Sequence, residues 1–238
     1  MPLRRTVAVA ALAAALLAAA GAPAVLGDVR AGKEAYQAED FAAARAAFQA
    51  AADAGDAEGQ TRLAIMYLRG EGGDRDAAKA VPLLEAAAAA GYLPAQFNLA
   101  RLYYAGVGVP QDHAQAATWF KRAADGGDLL SAHALSVLYY DGSGVEQDLA
   151  EAVRYARLAA DAGLPDAQYQ LGVLYFRGDG VEKDLAKAYY WFFLASQRGV
   201  MRARMLLPEL ADQLTPAAVQ DAETRAATWE PSGKAGDR

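Results

Sequence analysis

Between residues 59 and 202 the apolar residues fall at helical spacing, and glycines break the pattern at regular intervals. In one such stretch, Ala95–Ala105, Leu99, Leu102 and Tyr103 lie on one helix face. Gly106 ends that helix, because a left-handed residue costs a glycine little, and Gly108 turns the loop. A second helix opens at Asp112, whose side chain can accept from the free amides of the first turn. It buries Trp119, Phe120 and Ala123 and stops at Gly127. No run of alternating β-branched residues marks a strand. The unit is therefore an antiparallel helix pair.

The pair recurs with a period of 36 residues and no insertion. Gly70, Gly106, Gly142 and Gly178 share one register, and Gly72, Gly108, Gly144 and Gly180 another. Leu63, Leu99, Leu135 and Leu171 align, as do Tyr67, Tyr103, Tyr139 and Tyr175, and Asp76, Asp112, Asp148 and Asp184. Ala64, Ala100, Ser136 and Gly172 keep one point small, so that two helix backbones approach closely. Gln115 and Glu151, three residues after their aspartates, predict a capping box, with Lys79 and Lys187 at the same place in the other units. A helix pair of this size cannot bury its apolar face alone, and stacking on neighbours gives a solenoid.

The recurring pattern A-x3-LA-x-LYYxGxGVxxD-x3-A-x2-WFxxAA-x2-G resembles the Sel1-like repeat, a relative of the tetratricopeptide repeat. The resemblance spans Gly59–Arg202 as four units, with departures at Gly73, Leu83, Tyr155 and Ala156. It implies an all-α fold, an α-solenoid of stacked antiparallel helix pairs forming a right-handed superhelix. Residues 28–58, with Gly32, Tyr36, Phe41, Ala44 and Phe48, are similar to a tetratricopeptide unit that caps the N-terminal end. Residues 203–229 supply C-terminal capping helices, the first interrupted at Pro208 and the second opened by Thr215-Pro216, with Leu214 and Trp229 covering the last face. Residues 230–238 are expected to form a disordered tail.

Composition narrows the function. The chain lacks cysteine, which excludes disulfides, thiolate metal sites and a cysteine nucleophile. The net charge of −6 gives no electrostatic footprint for nucleic acid. Arg4 and Arg5, the apolar run from Thr6 to Ala20 and the small residues after it read as a signal peptide over residues 1–27. Cleavage after Ala24 or Gly27 would leave a mature protein without a membrane span, periplasmic or secreted. The alternative is an uncleaved N-terminal anchor in the inner membrane.

Candidate chemistry is sparse. There are two histidines. His113 reads as a helix-start residue and His133 as part of a surface, neither at metal-ligand spacing. No metal, cofactor or catalytic group is expected. In the tetratricopeptide relative, ligand contacts come from fixed first-helix positions. Carried onto this chain, they fall in three columns: Thr61, Phe97, His133 and Tyr169; Ile65, Arg101, Val137 and Val173; Leu68, Tyr104, Tyr140 and Phe176. Arg69 and Arg177 follow the last column. The candidate concave-face residues are thus Phe97, Arg101, Tyr104, His133, Tyr140, Tyr169, Phe176, Arg177 and Arg69. Aromatics with a few arginines suit a peptide or a partner's helix. The expected function is a non-catalytic interaction scaffold in the bacterial envelope. The alternatives are a module binding peptidoglycan or exopolysaccharide, and a weak cell-wall or β-lactam hydrolase.

Overall fold

The computed structural model describes residues 28–232; the segment read as a signal peptide and residues 233–238 lie outside the described residues. The described regular structure is twelve helices and no strand. In chain order they are α1 (Val29–Gln37), α2 (Phe41–Asp53), α3 (Ala57–Arg69), α4 (Ala77–Ala89), α5 (Leu93–Ala105) and α6 (His113–Asp125). Then follow α7 (Leu129–Asp141), α8 (Leu149–Asp161), α9 (Pro165–Arg177), α10 (Leu185–Gln197), α11 (Met201–Ala211) and α12 (Pro216–Ala227). The chain divides within α4 into two compact units, residues 1–87 and 88–238.

In the first unit, Phe48 of α2 sits at the centre of a core with Ala44, Leu63 and Met66. Gly32 of α1 is there because any β-carbon would run into the Phe48 ring. Tyr36 of α1 donates to Glu71, just past the end of α3, at 3.0 Å.

In the second unit, consecutive helices pack in pairs from α5 to α10, and α10 also packs against α11 and α12. One core runs through it. The leucine column Leu99, Leu135 and Leu171 is fully buried, and Tyr155 and Phe192 are the largest side chains enclosed. The small column has two uses here. Ser136 Oγ donates to the Ala152 carbonyl at 2.6 Å, binding α7 to α8. At Gly172 a β-carbon would strike the Phe192 ring.

The aspartate caps form as expected. Asp112, Asp148 and Asp184 accept from the amides of Gln115, Glu151 and Lys187 at 2.9–3.0 Å, and Asp76 accepts from Lys79. The capping box does not close. The backbone amides of Asp76, Asp112, Asp148 and Asp184 donate instead to the carbonyls of Tyr67, Tyr103, Tyr139 and Tyr175, at 2.9–3.0 Å. Those carbonyls lie in the last turn of the preceding helix, where the ladder leaves them open, so they compete successfully for the donor. Glu151 turns to Arg154 instead.

Pro208 also differs from expectation, since it lies inside α11 rather than ending it. The proline cancels one bond, to the carbonyl of exposed Arg204, which water can satisfy, and the helix runs on to Ala211. Pro82 is accommodated on the exposed side of α4 in the same way. At the C-terminal end, Leu214 and Trp229 pack against the core, joined by Ala222 and Ala226 of α12. Tyr189 donates to Glu223 at 2.8 Å. Of residues 230–238 the first three lie among the described residues, and there the Ser232 amide donates to the Asp161 carbonyl at 2.8 Å.

Candidate functional site

Within the second unit the first helix of each pair carries the expected columns. The geometry separates the candidates into three groups. His133 and Tyr140 of α7 and Tyr169 and Arg177 of α9 come together around a cavity of about 290 Å³. Val137, Val173 and Leu174 form its apolar wall. Asp166, Gln170 and Arg202 complete it.

The polar groups there are held by one another. Arg202 of α11 donates to Asp166 of α9 at 2.8 Å, and its guanidinium lies 4.5 Å from the Tyr169 ring centroid. Arg177 donates to the Tyr140 hydroxyl at 2.7 Å, and that hydroxyl donates to Asp179 at 2.8 Å. Gln170 donates to Ser136 Oγ at 3.0 Å, which ties the small column to the cavity. Gln170 Oε1 and His133 Nδ1 are buried yet complete no hydrogen bond within the protein. Burial holds the His133 imidazole below the ordinary histidine range, with Asp166 and Gln170 pulling weakly the other way. The ring is therefore neutral at pH 7.

The second group lies elsewhere on the first helices. Phe97 packs its ring on Phe120 at 5.9 Å between centroids, and the Arg101 guanidinium covers it at 5.6 Å. Tyr104 is exposed and stacks on His113, with centroids 4.9 Å apart. Phe176 is half-buried against the core and lines a small separate void with Phe192, Leu206 and Leu210.

Arg69 stands alone as the third, because it belongs to the first unit. It donates to Tyr36 at 3.4 Å and pairs with Glu71 at 3.6 Å. Arg69 and Arg177 share a register, as do Glu71 and Asp179, so both units use the same tyrosine–arginine–carboxylate clasp. Thr61, at the head of the first column, is buried and bonds back to the Ala57 carbonyl at 2.7 Å.

Sequence reasoning missed four residues of the cavity, Asp166, Gln170, Leu174 and Arg202. Asp166 and Arg202 lie one period apart, and the same step carries Tyr169 to Met205, an exposed methionine on α11. Extending the columns one repeat further reaches Met205 but neither Asp166 nor Arg202, whose register, shared with Glu58, Pro94 and Leu130, the columns do not include. Gln170 carries no signal either, because its role depends on Ser136, in the neighbouring pair.

Among the described residues no three His, Asp or Glu side chains gather as metal ligands, and no helix is long and apolar enough to cross a membrane.

Stacked helix pairs with a shared core, and a first-helix face that carries a cavity, define an α-solenoid repeat protein. A family model described as the Sel1 repeat matches residues 57–92, 93–128, 129–164 and 165–200, and the chain belongs to that family. Among solved structures it is similar to a protective antigen of uropathogenic Escherichia coli displaying an SLR fold (34% identity, TM-score 0.70, 77% of this chain). This chain covers only 40% of that protein's length. It is also similar to a Sel1 repeat protein from Oxalobacter formigenes, at 25% identity and TM-score 0.73 over 85% of this chain and 86% of that one. A putative Sel1 repeat protein from Klebsiella pneumoniae subsp. pneumoniae shares the fold at 23% identity, with a TM-score of 0.50 over 78% and 94% of the two chains. No curated protein matches the sequence. Sel1 repeats generally mediate protein–protein interaction and are generally non-catalytic.

Proposed function

We propose that this protein is a non-catalytic scaffold of the bacterial envelope that binds a peptide segment of a partner protein on the first-helix face of residues 88–211. The observation that carries the reading is the cavity between α7, α9 and α11. Aromatic, aliphatic and arginine side chains converge there, the composition enriched at the energetic centres of protein interfaces. The polar groups around the cavity are engaged with one another, Asp166 with Arg202 and the Tyr140 hydroxyl with Arg177 and Asp179, which suits a binding surface. The N-terminal residues support the envelope assignment through the signal-peptide pattern.

The test is capture from bacterial envelope extract, followed by reconstitution of the captured protein with purified scaffold. Tyr169→Ala with Phe97→Ala is expected to weaken the reconstituted complex about tenfold or more. Leu158→Ala, on an exposed second-helix position, is expected to leave it unchanged. An affinity indifferent to the first pair overturns the assignment of the face. Sedimentation with peptidoglycan in place of a protein partner would convert the reading to a glycan-binding module. Turnover of a cell-wall or β-lactam substrate would overturn the non-catalytic assignment.

A further inference from the structure

Resting on that reading, we infer that the α7–α9–α11 cavity is a carboxylate-reading anchor: it takes one apolar residue of the partner together with an adjacent carboxylate. Size is the first argument. At about 290 Å³ the cavity lies at the small end of ligand pockets, which suits one residue rather than a cofactor.

Charge is the second. Arg177 and Arg202 enter from different helices, and each is already oriented, one by the Tyr140 hydroxyl and the other by Asp166 and the Tyr169 ring. A guanidinium carries five N–H donors, so both keep donors beyond those bonds, fixed in direction before a ligand arrives. Planar forks of this kind match carboxylates. Asp166 at the cavity and the net charge of −6 oppose a dianion or a polyacid, which leaves a single carboxylate beside apolar surface.

The two histidines of the chain make the test direct, because their imidazole NMR signals are few. His133 lies in the cavity, while His113, stacked on Tyr104, serves as an internal control, and His113→Gln assigns the pair. The probes are N-acetyl-phenylalanine, its amide, and N-acetyl-Phe-Glu-amide, titrated into the full chain. Saturable movement of His133 by N-acetyl-phenylalanine, about tenfold weaker for the amide, supports the proposal with a terminal carboxylate as source. Movement by N-acetyl-Phe-Glu-amide alone supports it with a side chain as source. Arg177→Gln and Arg202→Gln are each expected to weaken binding about tenfold, with Arg202→Lys intermediate. Both arginines are exposed, so the folded core is untouched by these changes.

The inference is overturned if the amide binds as well as the acid, or if no carboxylate moves His133 more than His113. A captured partner that needs Tyr169 but not Arg177 or Arg202 removes this inference and keeps the peptide-binding reading. A partner indifferent to all three removes both.

Discussion

Gly144 shows how a single position in the loop carries two constraints. Its φ of +74° lies in the left-handed region, and a β-carbon there would collide with the His113 carbonyl at the start of the preceding second helix. Gly142 has φ of +69°, but the nearest obstacle to a β-carbon is the Gln147 Cβ at 3.2 Å, a contact that a few tenths of an ångström relieve. Gly144→Ala is therefore expected to cost more than the ~1 kcal/mol or so of Gly142→Ala, where backbone strain acts almost alone. Thermal unfolding of the two variants side by side checks the order. His133 makes the second case. Its pKa is lowered by burial, so the unfolded chain binds the proton more readily than the folded one. Stability is complete above the ordinary histidine value near 6.5 and falls as pH drops through the folded value. The charged groups facing the ring are Asp166, which moderates the effect, and Arg202, which adds to it. His133→Gln is expected to flatten the loss of stability between about pH 7 and pH 5, by up to one proton in the slope, in denaturant titrations across that range.

The helix pairs were legible in sequence because their determinants are local and repeat. Apolar spacing, the glycine stop and the aspartate start all act within one turn of the boundary they set. The capping box failed for the opposite reason. The competing acceptor for the Asp112 amide, the Tyr103 carbonyl, comes from the preceding helix across the loop and leaves no mark in the capping motif itself. Pro208 was misjudged because a proline near the end of an exposed helix removes one bond that water replaces. The contact between α10 and α12 offers a test of how the last pair is closed. Burial first, and then the hydrogen bond to Glu223, push the Tyr189 hydroxyl up to about 12. Because the folded pKa is raised, this contribution is complete below the unfolded value near 10 and is lost as pH rises toward 12. Tyr189→Phe keeps the ring in the core and removes the titration. Its alkaline unfolding is expected to be shallower than that of the natural chain between about pH 10 and 12, by circular dichroism.

For the molecule as a whole, a 36-residue period specified the architecture and placed six of the cavity's residues, His133, Val137, Tyr140, Tyr169, Val173 and Arg177, on one face. It did not separate them from Phe176, which shares a column with Tyr140 but lines a separate void with Phe192. Position in a repeat fixes which helix face a side chain leaves from, while its rotamer depends on neighbours one period away. Gln170 was invisible for that reason. The exposed apolar residues divide in the same manner, with Met205 continuing the column of Tyr169 and His133, and Leu158 on a second helix away from it. That pair supports the most direct measurement of where a partner docks. A photo-crosslinking amino acid is placed at Met205 or at Leu158, and each variant is irradiated in cells that make the full chain. Covalent adducts with a partner protein are expected from position 205 and not from position 158. Adducts from 158 alone, or equal yields from both, would contradict binding on the first-helix face.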